Sequence, residues 1–136
     1  MIRSLTQPEL EAEGERLGRD LSPGAVVTFE GELGAGKTTF IKGITRGLGV
    51  TGPASSPTYA LVHRYAGRRG PVFHLDCFRL RQPDESADLD WEGLAVEGDA
   101  LLIEWPERAA GWAPAATLRL HLSHLADPAV RGVEVG

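Results

Sequence analysis

Residues 31–38 read GELGAGKT, and this stretch decides how the rest of the chain is interpreted. It matches in full the pattern G-x-x-x-x-G-K-[ST], whose glycines let successive backbone N–H groups surround a phosphate chain. The apolar, β-branched run AVVTF at residues 25–29 comes directly before it and predicts a buried strand. After it, apolar residues recur at helical spacing, at Phe40, Ile41, Ile44 and Leu48. A strand, a glycine-rich loop and a helix in this order predict a nucleotide-binding P-loop.

Each part of the loop has a predicted task. Lys37 supplies a mobile ammonium group for the β- and γ-phosphates, and the Thr38 hydroxyl can ligate Mg²⁺. The helix that follows directs its positive end at the same phosphates. The guanine-selecting Asn-Lys-x-Asp motif is absent, since the only lysines are Lys37 and Lys42, so ATP is favoured over GTP. The predicted nucleotide contacts of the loop are Glu32, Leu33, Gly34, Ala35, Gly36, Lys37, Thr38 and Thr39.

The segments on either side of the loop predict one α/β domain over residues 1–136. Thr6 and Glu9 have the spacing of a capping box, which predicts a helix that ends before Ser22-Pro23-Gly24. Residues 59–65 and 72–76 predict an antiparallel hairpin, and residues 83–97 carry a weak helical pattern. Further strands are predicted at 100–105, 117–123 and 131–135. The expected fold is a P-loop NTPase-like domain whose mixed β-sheet carries a β-hairpin insertion and is flanked by helices.

Composition narrows the class of protein. The 136 residues are 42% hydrophobic and 24% charged, which is typical of a globular domain. A net charge of -5 argues against a protein that coats nucleic acid. The single cysteine, Cys77, excludes an internal disulfide framework, and the chain shows no apolar run of membrane-spanning length and no signal peptide. We therefore expect a cytoplasmic protein without a membrane role.

One group of basic residues near the predicted hairpin has two interpretations. Arg64, Arg68 and Arg69, with Arg79 and Arg81 further along, could form a local patch for RNA or a partner. A solvated hairpin tip explains the same residues and is the favoured interpretation.

Two acids end predicted strands. Asp76 ends VFHLD and Glu104 ends LLIE, and a carboxylate at the mouth of an apolar strand needs a cation or hydrogen bonds. A P-loop needs an acid to hold its magnesium, and between them these residues could bind Mg²⁺ and orient the attacking water. A surface salt bridge is the alternative for either acid alone. His74 could act as a base, although a single strand histidine is more often structural.

The turn-rich residues 55–58 lie between the P-loop helix and the hairpin. In many P-loop proteins a segment at this point senses the γ-phosphate through a hydroxyl group. An ordinary turn is the alternative interpretation of the same residues.

Four stretches, taken together, resemble the TsaE family (also called YjeE). They are GELGAGKTTF, SSPTY, FHLDCFRL and LLIEWPE, in this order and at compact spacing. Members of this family are bacterial ATPases needed to form threonylcarbamoyladenosine next to the tRNA anticodon. The resemblance implies that Lys37 and Thr38 bind phosphate and magnesium, and that Glu104 is the second magnesium-binding residue. It implies that Asp76 assists hydrolysis, with a switch-like loop formed by Ser56, Pro57 and Thr58.

The resemblance also implies which residues contact the nucleotide base and which partners the protein has. The base is approached from the N-terminal segment, which makes Thr6 a candidate contact, and from a late strand, where Arg131 is the only basic residue. The protein would act on the TsaB–TsaD pair, which transfers the threonylcarbamoyl group to tRNA, and would meet tRNA only indirectly. Cys77 and Phe78 stand where relatives often have Leu-Tyr. Hydrolysis is expected to be weak alone and raised by partners.

Two other functions fit parts of the pattern. Asp76-Cys77-Phe78 resembles the strand-end acid of some nucleoside kinases, which favours a small P-loop kinase of a nucleoside or metabolite. Against a kinase, no late segment carries the clustered arginines of a lid. A non-catalytic nucleotide sensor is the second alternative, although a sensor has less need of a water-orienting acid.

Overall fold

A computed structural model describes residues 2–52, 62–80, 89–109 and 111–136. The strands of these residues are β1 (Arg3–Thr6), β2 (Ala25–Glu30), β3 (Val62–Ala66), β4 (Pro71–Asp76), β5 (Ala100–Glu104), β6 (Leu118–His124) and β7 (Val130–Val135). Their α-helices are α1 (Gln7–Asp20), α2 (Lys37–Gly47) and α3 (Trp91–Glu97). None of the helices described is long and apolar enough to cross a membrane.

The strands form one mixed sheet in the order β1-β7-β6-β2-β5-β4-β3. Its centre is parallel, because β2 pairs with β5 and β6 while β4 pairs with β5 in the same direction. Both sides end in antiparallel pairs, β3 with β4 on one side and β6, β7 and β1 on the other. The parallel strands therefore bring their carboxyl ends to a single edge, which is where ligands of such sheets bind. The predicted hairpin is confirmed over the described residues, and its second strand, β4, belongs to the parallel centre.

Helices and short segments bury both faces of the sheet. Along β5, Ala100 and Leu102 belong to the apolar cluster that packs against α1 and α2. Leu101 and Ile103, which alternate with them, belong to the cluster that contains Trp91 at the start of α3. A strand buried on two faces needs apolar residues at every position, and this explains the uninterrupted run ALLI.

Helices α1 and α2 touch through their main chains. A Cβ atom added to Gly14 would lie 2.5 Å from the Phe40 carbonyl oxygen, and one added to Gly43 would lie 2.2 Å from the Glu11 carbonyl oxygen. Gly18 and Gly47 repeat this contact one turn further along each helix. Side chains larger than hydrogen would push the helices apart, so α1 holds α2 closely.

Most predicted elements are confirmed, and one strand was not predicted. The capping box is present, since the Glu9 amide donates to the Thr6 hydroxyl oxygen (3.3 Å) and the Thr6 amide donates to Glu9 Oε1 (2.9 Å). Strand β1 lies before this helix and pairs with β7. Its four residues include only one buried apolar side chain, Leu5, so no alternating pattern announces it.

Candidate nucleotide-binding site

The glycine-rich loop joins the end of β2 to α2, as predicted. Gly31, Gly34 and Gly36 have φ values of 142°, 79° and 102°, a region that glycine enters without steric cost. Gly36 is the N-cap residue of α2 and offers no side-chain cap. The first amides of α2 therefore remain available to a phosphate, beside the positive end of the helix.

Lys37 lies under the loop at the first position of α2. It is 5% exposed, and its Nζ donates to the Gly31 carbonyl oxygen (2.5 Å). Burial lowers the pKa of Lys37 below its ordinary value, while the carboxylates of Glu104, Asp76 and Glu107 act in the opposite direction. The ammonium group is thus held in a partly dry pocket whose acids keep its charge compensated.

Trp105 forms a second contact for this ammonium group. Lys37 Nζ lies 3.8 Å from the centroid of the indole ring, a cation–π geometry. The backbone of Trp105 is left-handed (φ 56°), which is uncommon for a bulky residue. Its amide donates to the Phe29 carbonyl oxygen (3.2 Å), so β2 helps to hold this turn. The indole ring also packs against Phe78, with centroids 5.0 Å apart.

The two predicted acids lie side by side. Asp76 and Glu104 are direct partners in the register of β4 and β5, at the carboxyl ends of both strands. Both acids line a cavity of about 300 Å³ together with Lys37 and Thr38. The remaining described lining residues are Leu33, Gly34, Gly36, Thr39, Phe78 and Trp105. Strand register therefore brings together the lysine, the hydroxyl group and both carboxylates that the sequence singles out.

Hydrogen bonding distinguishes the two acids. Glu104 is 8% exposed, and its Oε2 lies 2.7 Å from Nε2 of His74 on the neighbouring strand. Asp76 is less buried and accepts a hydrogen bond from the Phe78 amide through Oδ1 (3.1 Å). The adjacent Cys77 is buried, and burial is the main cause that raises the pKa of its thiol to about 12. The thiol therefore stays protonated and is not a nucleophile.

The donor set fits Mg²⁺. A hydroxyl oxygen and carboxylate oxygens are the hard ligands that this ion prefers. In the described part of the chain no group of three or more His, Cys, Asp or Glu side chains is arranged to hold a metal alone. Such a partial set suits an ion that keeps several waters and shares its coordination with nucleotide phosphates.

A second cavity, of about 290 Å³, opens on the other side of the loop. It lies between the start of α1 and the start of β7, and its described lining residues are Gln7, Leu10, Gly34, Gly36, Thr39, Pro128, Ala129 and Arg131. Arg131 is thus brought to the glycine-rich loop, and its expected contact with the base stays a prediction. Thr6 lies beside Arg131, because Thr6 pairs with Val130 in the register of β1 and β7. The Thr6 hydroxyl group, however, caps α1. The neighbouring Gln7 lines the cavity, and sequence reasoning did not select it.

Two side chains of the β6–β7 pair hold the loop. Arg131 Nε donates to the Gly34 carbonyl oxygen (3.1 Å), and His124 Nε2 lies 3.0 Å from the Leu33 carbonyl oxygen. His124 and Arg131 are register partners on β6 and β7. His124 was not predicted, because no motif marks a histidine that acts through a distant strand pairing.

Two other predictions have different outcomes. The predicted switch loop, Ser56, Pro57 and Thr58, lies outside the described residues. Three arginines of the predicted patch make contacts within the chain: Arg64 pairs with Glu97 (3.1 Å), Arg69 with Asp99 (3.2 Å), and Arg68 donates to the Gly47 carbonyl oxygen (3.3 Å). Arg81 and the side chain of Arg79 lie outside the part of the chain that the structure describes. These contacts favour a structural role for the hairpin tip.

Comparison with known proteins gives a consistent result. A family model described as "Threonylcarbamoyl adenosine biosynthesis protein TsaE" matches residues 5–131. The tRNA threonylcarbamoyladenosine biosynthesis protein TsaE of Nostoc sp. is 43% identical over 99 residues, which cover 70% of this chain and 60% of that protein. The protein of the same name from Treponema pallidum is 38% identical over 114 residues, 84% of each chain. That from Bacillus subtilis is 34% identical over 125 residues, covering 92% of this chain and 78% of the relative.

A solved structure has a similar fold. The crystal structure of Bacillus subtilis YdiB aligns with a TM-score of 0.76 and 26% sequence identity. The alignment covers 100% of this chain and 87% of the YdiB chain.

Proposed function

Because the chain belongs to the TsaE family, we propose that it is a Mg²⁺-dependent ATPase that serves threonylcarbamoyladenosine modification of tRNA. The family match confirms the resemblance found in the four sequence motifs. The observation that carries the proposal is the convergence of Lys37, Thr38, Asp76 and Glu104 on one cavity beside the glycine-rich loop. The relatives are named for threonylcarbamoyladenosine biosynthesis, and family membership favours this role over a small-molecule kinase.

The first task of the site is to hold the phosphates of ATP. The open amides at the start of α2 and the turns at Gly34 and Gly36 suit a chain of negative charges. Lys37 exchanges its bond to the Gly31 carbonyl oxygen for the β- and γ-phosphates. Trp105 keeps the lysine stem aligned during this exchange, since its ring lies directly against the ammonium group.

The second task is to align water with the γ-phosphate. Thr38 and Glu104 would hold Mg²⁺, which when bound neutralises charge on the phosphate oxygens. Asp76 lies one strand away from Glu104 and opens into the same cavity. Its carboxylate accepts a hydrogen bond from the attacking water and orients it, with the option of a water-mediated contact to the metal.

The small number of cationic side chains in the cavity favours slow ATP hydrolysis by the protein alone. Among the described lining residues Lys37 is the only cation, whereas P-loop enzymes commonly use an added arginine to stabilise the transferring phosphate. We therefore propose that the TsaB–TsaD pair completes the site and raises turnover. ATP turnover would reset that pair between rounds of modification. This chain would then meet tRNA only through the pair, and we place its work in the cytoplasm.

Isothermal titration calorimetry with Mg·ATP tests nucleotide binding. Lys37→Ala should abolish measurable binding, because it removes the cation under the loop. Lys42→Ala is the matched control, since it removes the same charge from an exposed position on the same helix. Equal affinity of Lys37→Ala and wild type would contradict the phosphate-binding assignment.

Turnover tests the partner assignment. Phosphate release is measured for this chain alone, for TsaB–TsaD alone and for the mixture, at saturating ATP. We expect the mixture to exceed the sum of its parts, and the excess to disappear with Lys37→Ala. Turnover by this chain that partners leave unchanged would contradict the proposal that they complete the site.

A further inference from the structure

His74 and Glu104 form a hydrogen-bonded pair outside the direct phosphate contacts. The two atoms, Nε2 and Oε2, are 2.7 Å apart, and the side chains are 17% and 10% exposed. His74 lies two residues before Asp76 on β4, so both side chains project from the same face of that strand. The cavity lining described for the phosphate site includes Asp76 and Glu104 but not His74. His74 instead lines a neighbouring cavity that also reaches Thr38, and its direct bond to an acid of the phosphate site is the one to Glu104.

A nearly buried carboxylate needs a partner to hold its direction. In the described residues every buried side-chain polar atom has a hydrogen-bond partner, and His74 is the side chain that contacts Glu104. The bond engages Oε2 and leaves the lone pairs of Oε1 for another ligand. Because β4 and β5 are held in register, the donor position relative to the carboxylate is set by main-chain pairing.

We propose that His74 is a positioning residue that orients Glu104 for Mg²⁺. This inference depends on the proposed Mg²⁺-dependent nucleotide binding and adds to it a residue acting through the metal ligand. Hydrogen-bond partners of metal ligands restrict the directions a ligand can take, and their loss weakens metal binding about 10- to 100-fold. With His74 absent, Glu104 retains its charge but samples directions that miss the metal.

Four variants separate this role from a general effect on packing. His74→Leu removes the donor and keeps an apolar side chain, whereas His74→Gln keeps an N–H donor near the position of Nε2. His63→Leu is the matched control, because His63 is the register partner of His74 on β3 and its ring lies 5.9 Å from the His74 ring. Glu104→Gln removes the proposed metal ligand itself.

The measurement is the Mg²⁺ requirement of nucleotide binding. A fluorescent, non-hydrolysable ATP analogue is titrated in EDTA, and its binding is then followed as Mg²⁺ is added. We expect His74→Leu to raise the Mg²⁺ concentration at half-maximal effect by about tenfold or more. Affinity in EDTA should stay at the wild-type value, and His74→Gln should recover most of the loss. The His63→Leu control should match wild type.

The outcomes distinguish this inference from the proposed function. Wild-type protein that binds the analogue equally with and without Mg²⁺ would overturn the proposed function. Wild-type protein that needs Mg²⁺, with His74→Leu unchanged, would overturn only the role of His74. Equal weakening in EDTA and in Mg²⁺ would also overturn it, as would a His74→Gln variant no better than His74→Leu. Adding His74→Leu to Glu104→Gln should change little, because both act on one ligand.

Discussion

The glycine-rich loop lies between two walls of different origin. The first, which we call the metal wall because we propose that Mg²⁺ binds there, consists of Asp76, Glu104 and Trp105, at the carboxyl ends of the adjacent strands β4 and β5. The second, which we call the base wall because we expect the nucleotide base there, consists of Gln7 and Arg131, which come from opposite ends of the chain. Pairing of β1 with β7 brings these two residues together, because Leu5 lies opposite Arg131 in the register.

This difference between the two walls predicts that one affects ATP hydrolysis and the other affects nucleotide affinity. The metal wall places charged groups through parallel main-chain pairing, so their spacing is set within the centre of the sheet. The base wall places an arginine and an amide side chain beside the loop through an antiparallel edge. We therefore expect changes in the metal wall to act on turnover and metal dependence, and changes in the base wall to act on nucleotide affinity.

The largest expected effect is on turnover, from the metal wall. Asp76→Asn removes the charge that we propose orients water, so kcat should fall by about 100- to 10,000-fold, the usual contribution of a positioned base. Mg·ATP affinity should change far less, because the loop and Lys37 remain. Phosphate release and calorimetry on the same preparation measure the two quantities. Asp90→Asn is the control, since asparagine also caps helix α3 well. A loss of affinity equal to the loss of kcat would contradict the separation of roles.

A change in the loop should impair both walls together. Gly31→Ala would put a Cβ atom 2.2 Å from the Leu122 carbonyl oxygen, and overpacking of this kind costs about 1–3 kcal/mol. Tm should therefore decrease, and Mg·ATP affinity should also fall, because relief of the clash moves the loop away from the arrangement that binds phosphate. Calorimetry and thermal melts check this result. Gly52→Ala is the control, because no heavy atom lies within 4 Å of its added Cβ.

The base wall should show a smaller effect that is confined to affinity. Arg131→Met keeps the aliphatic stem beside Gly36 but loses the donors to the Gly34 and Pro128 carbonyl oxygens. Affinity for ATP should decrease by about tenfold, the value of one or two hydrogen bonds. The Mg²⁺ requirement and kcat at saturation should stay unchanged. Arg119→Met, on the exposed side of β6, is the control. A shift in the Mg²⁺ requirement would show that the walls are not independent.

The smallest expected effect is on the free energy of unfolding, and it tests the ion pair between β1 and α1. Glu13 on α1 pairs with Arg16 and, across to β1, with Arg3 (3.1 Å), and the hydrogen bond from Arg16 is the main cause that lowers the pKa of Glu13 below 4.5. A lowered carboxyl pKa stabilises the folded state above pH 4.5, and this contribution disappears as pH falls through the folded-state pKa. Glu13→Gln should lose a few tenths of a kcal/mol at neutral pH, as exposed pairs do.

Urea unfolding at several pH values measures this contribution. The difference in the free energy of unfolding between wild type and Glu13→Gln should be constant above pH 4.5 and shrink below it. A difference that grows on acidification would contradict the assigned direction of the pKa change.

The two walls also differ in how many of their residues the sequence predicts. Asp76 and Glu104 were selected from sequence because each ends an apolar run, and parallel strands bring such ends to one edge. The strand Arg3–Thr6 was missed, since its one buried residue, Leu5, forms no recognisable pattern. Arg131 was identified only through the resemblance, because its hydrogen bond to the Gly34 carbonyl oxygen joins residues 97 positions apart and no local pattern indicates it.

Hydrogen bonds between strands were also beyond prediction. The sequence allows His74 to be either a base or a structural residue, and its bond to Glu104 appears only when β4 and β5 are placed side by side. The left-handed backbone of Trp105 carries no signal in the residue type, since glycine or asparagine is usual there. The contacts of Gly14 and Gly43 were missed for a different reason. Glycine usually lowers the stability of a helix, whereas here it permits close approach of the α1 and α2 backbones.

Those glycines have a consequence for motion. With main chain against main chain, α1 and α2 can slide or separate only by losing backbone packing, so they move as one rigid body that carries the carboxyl end of the phosphate loop. Displacements that accompany opening, closing or product release should therefore be taken up by the opposite half of the molecule, around β3, β4 and α3. Hydrogen exchange with and without nucleotide should show its largest changes in that half.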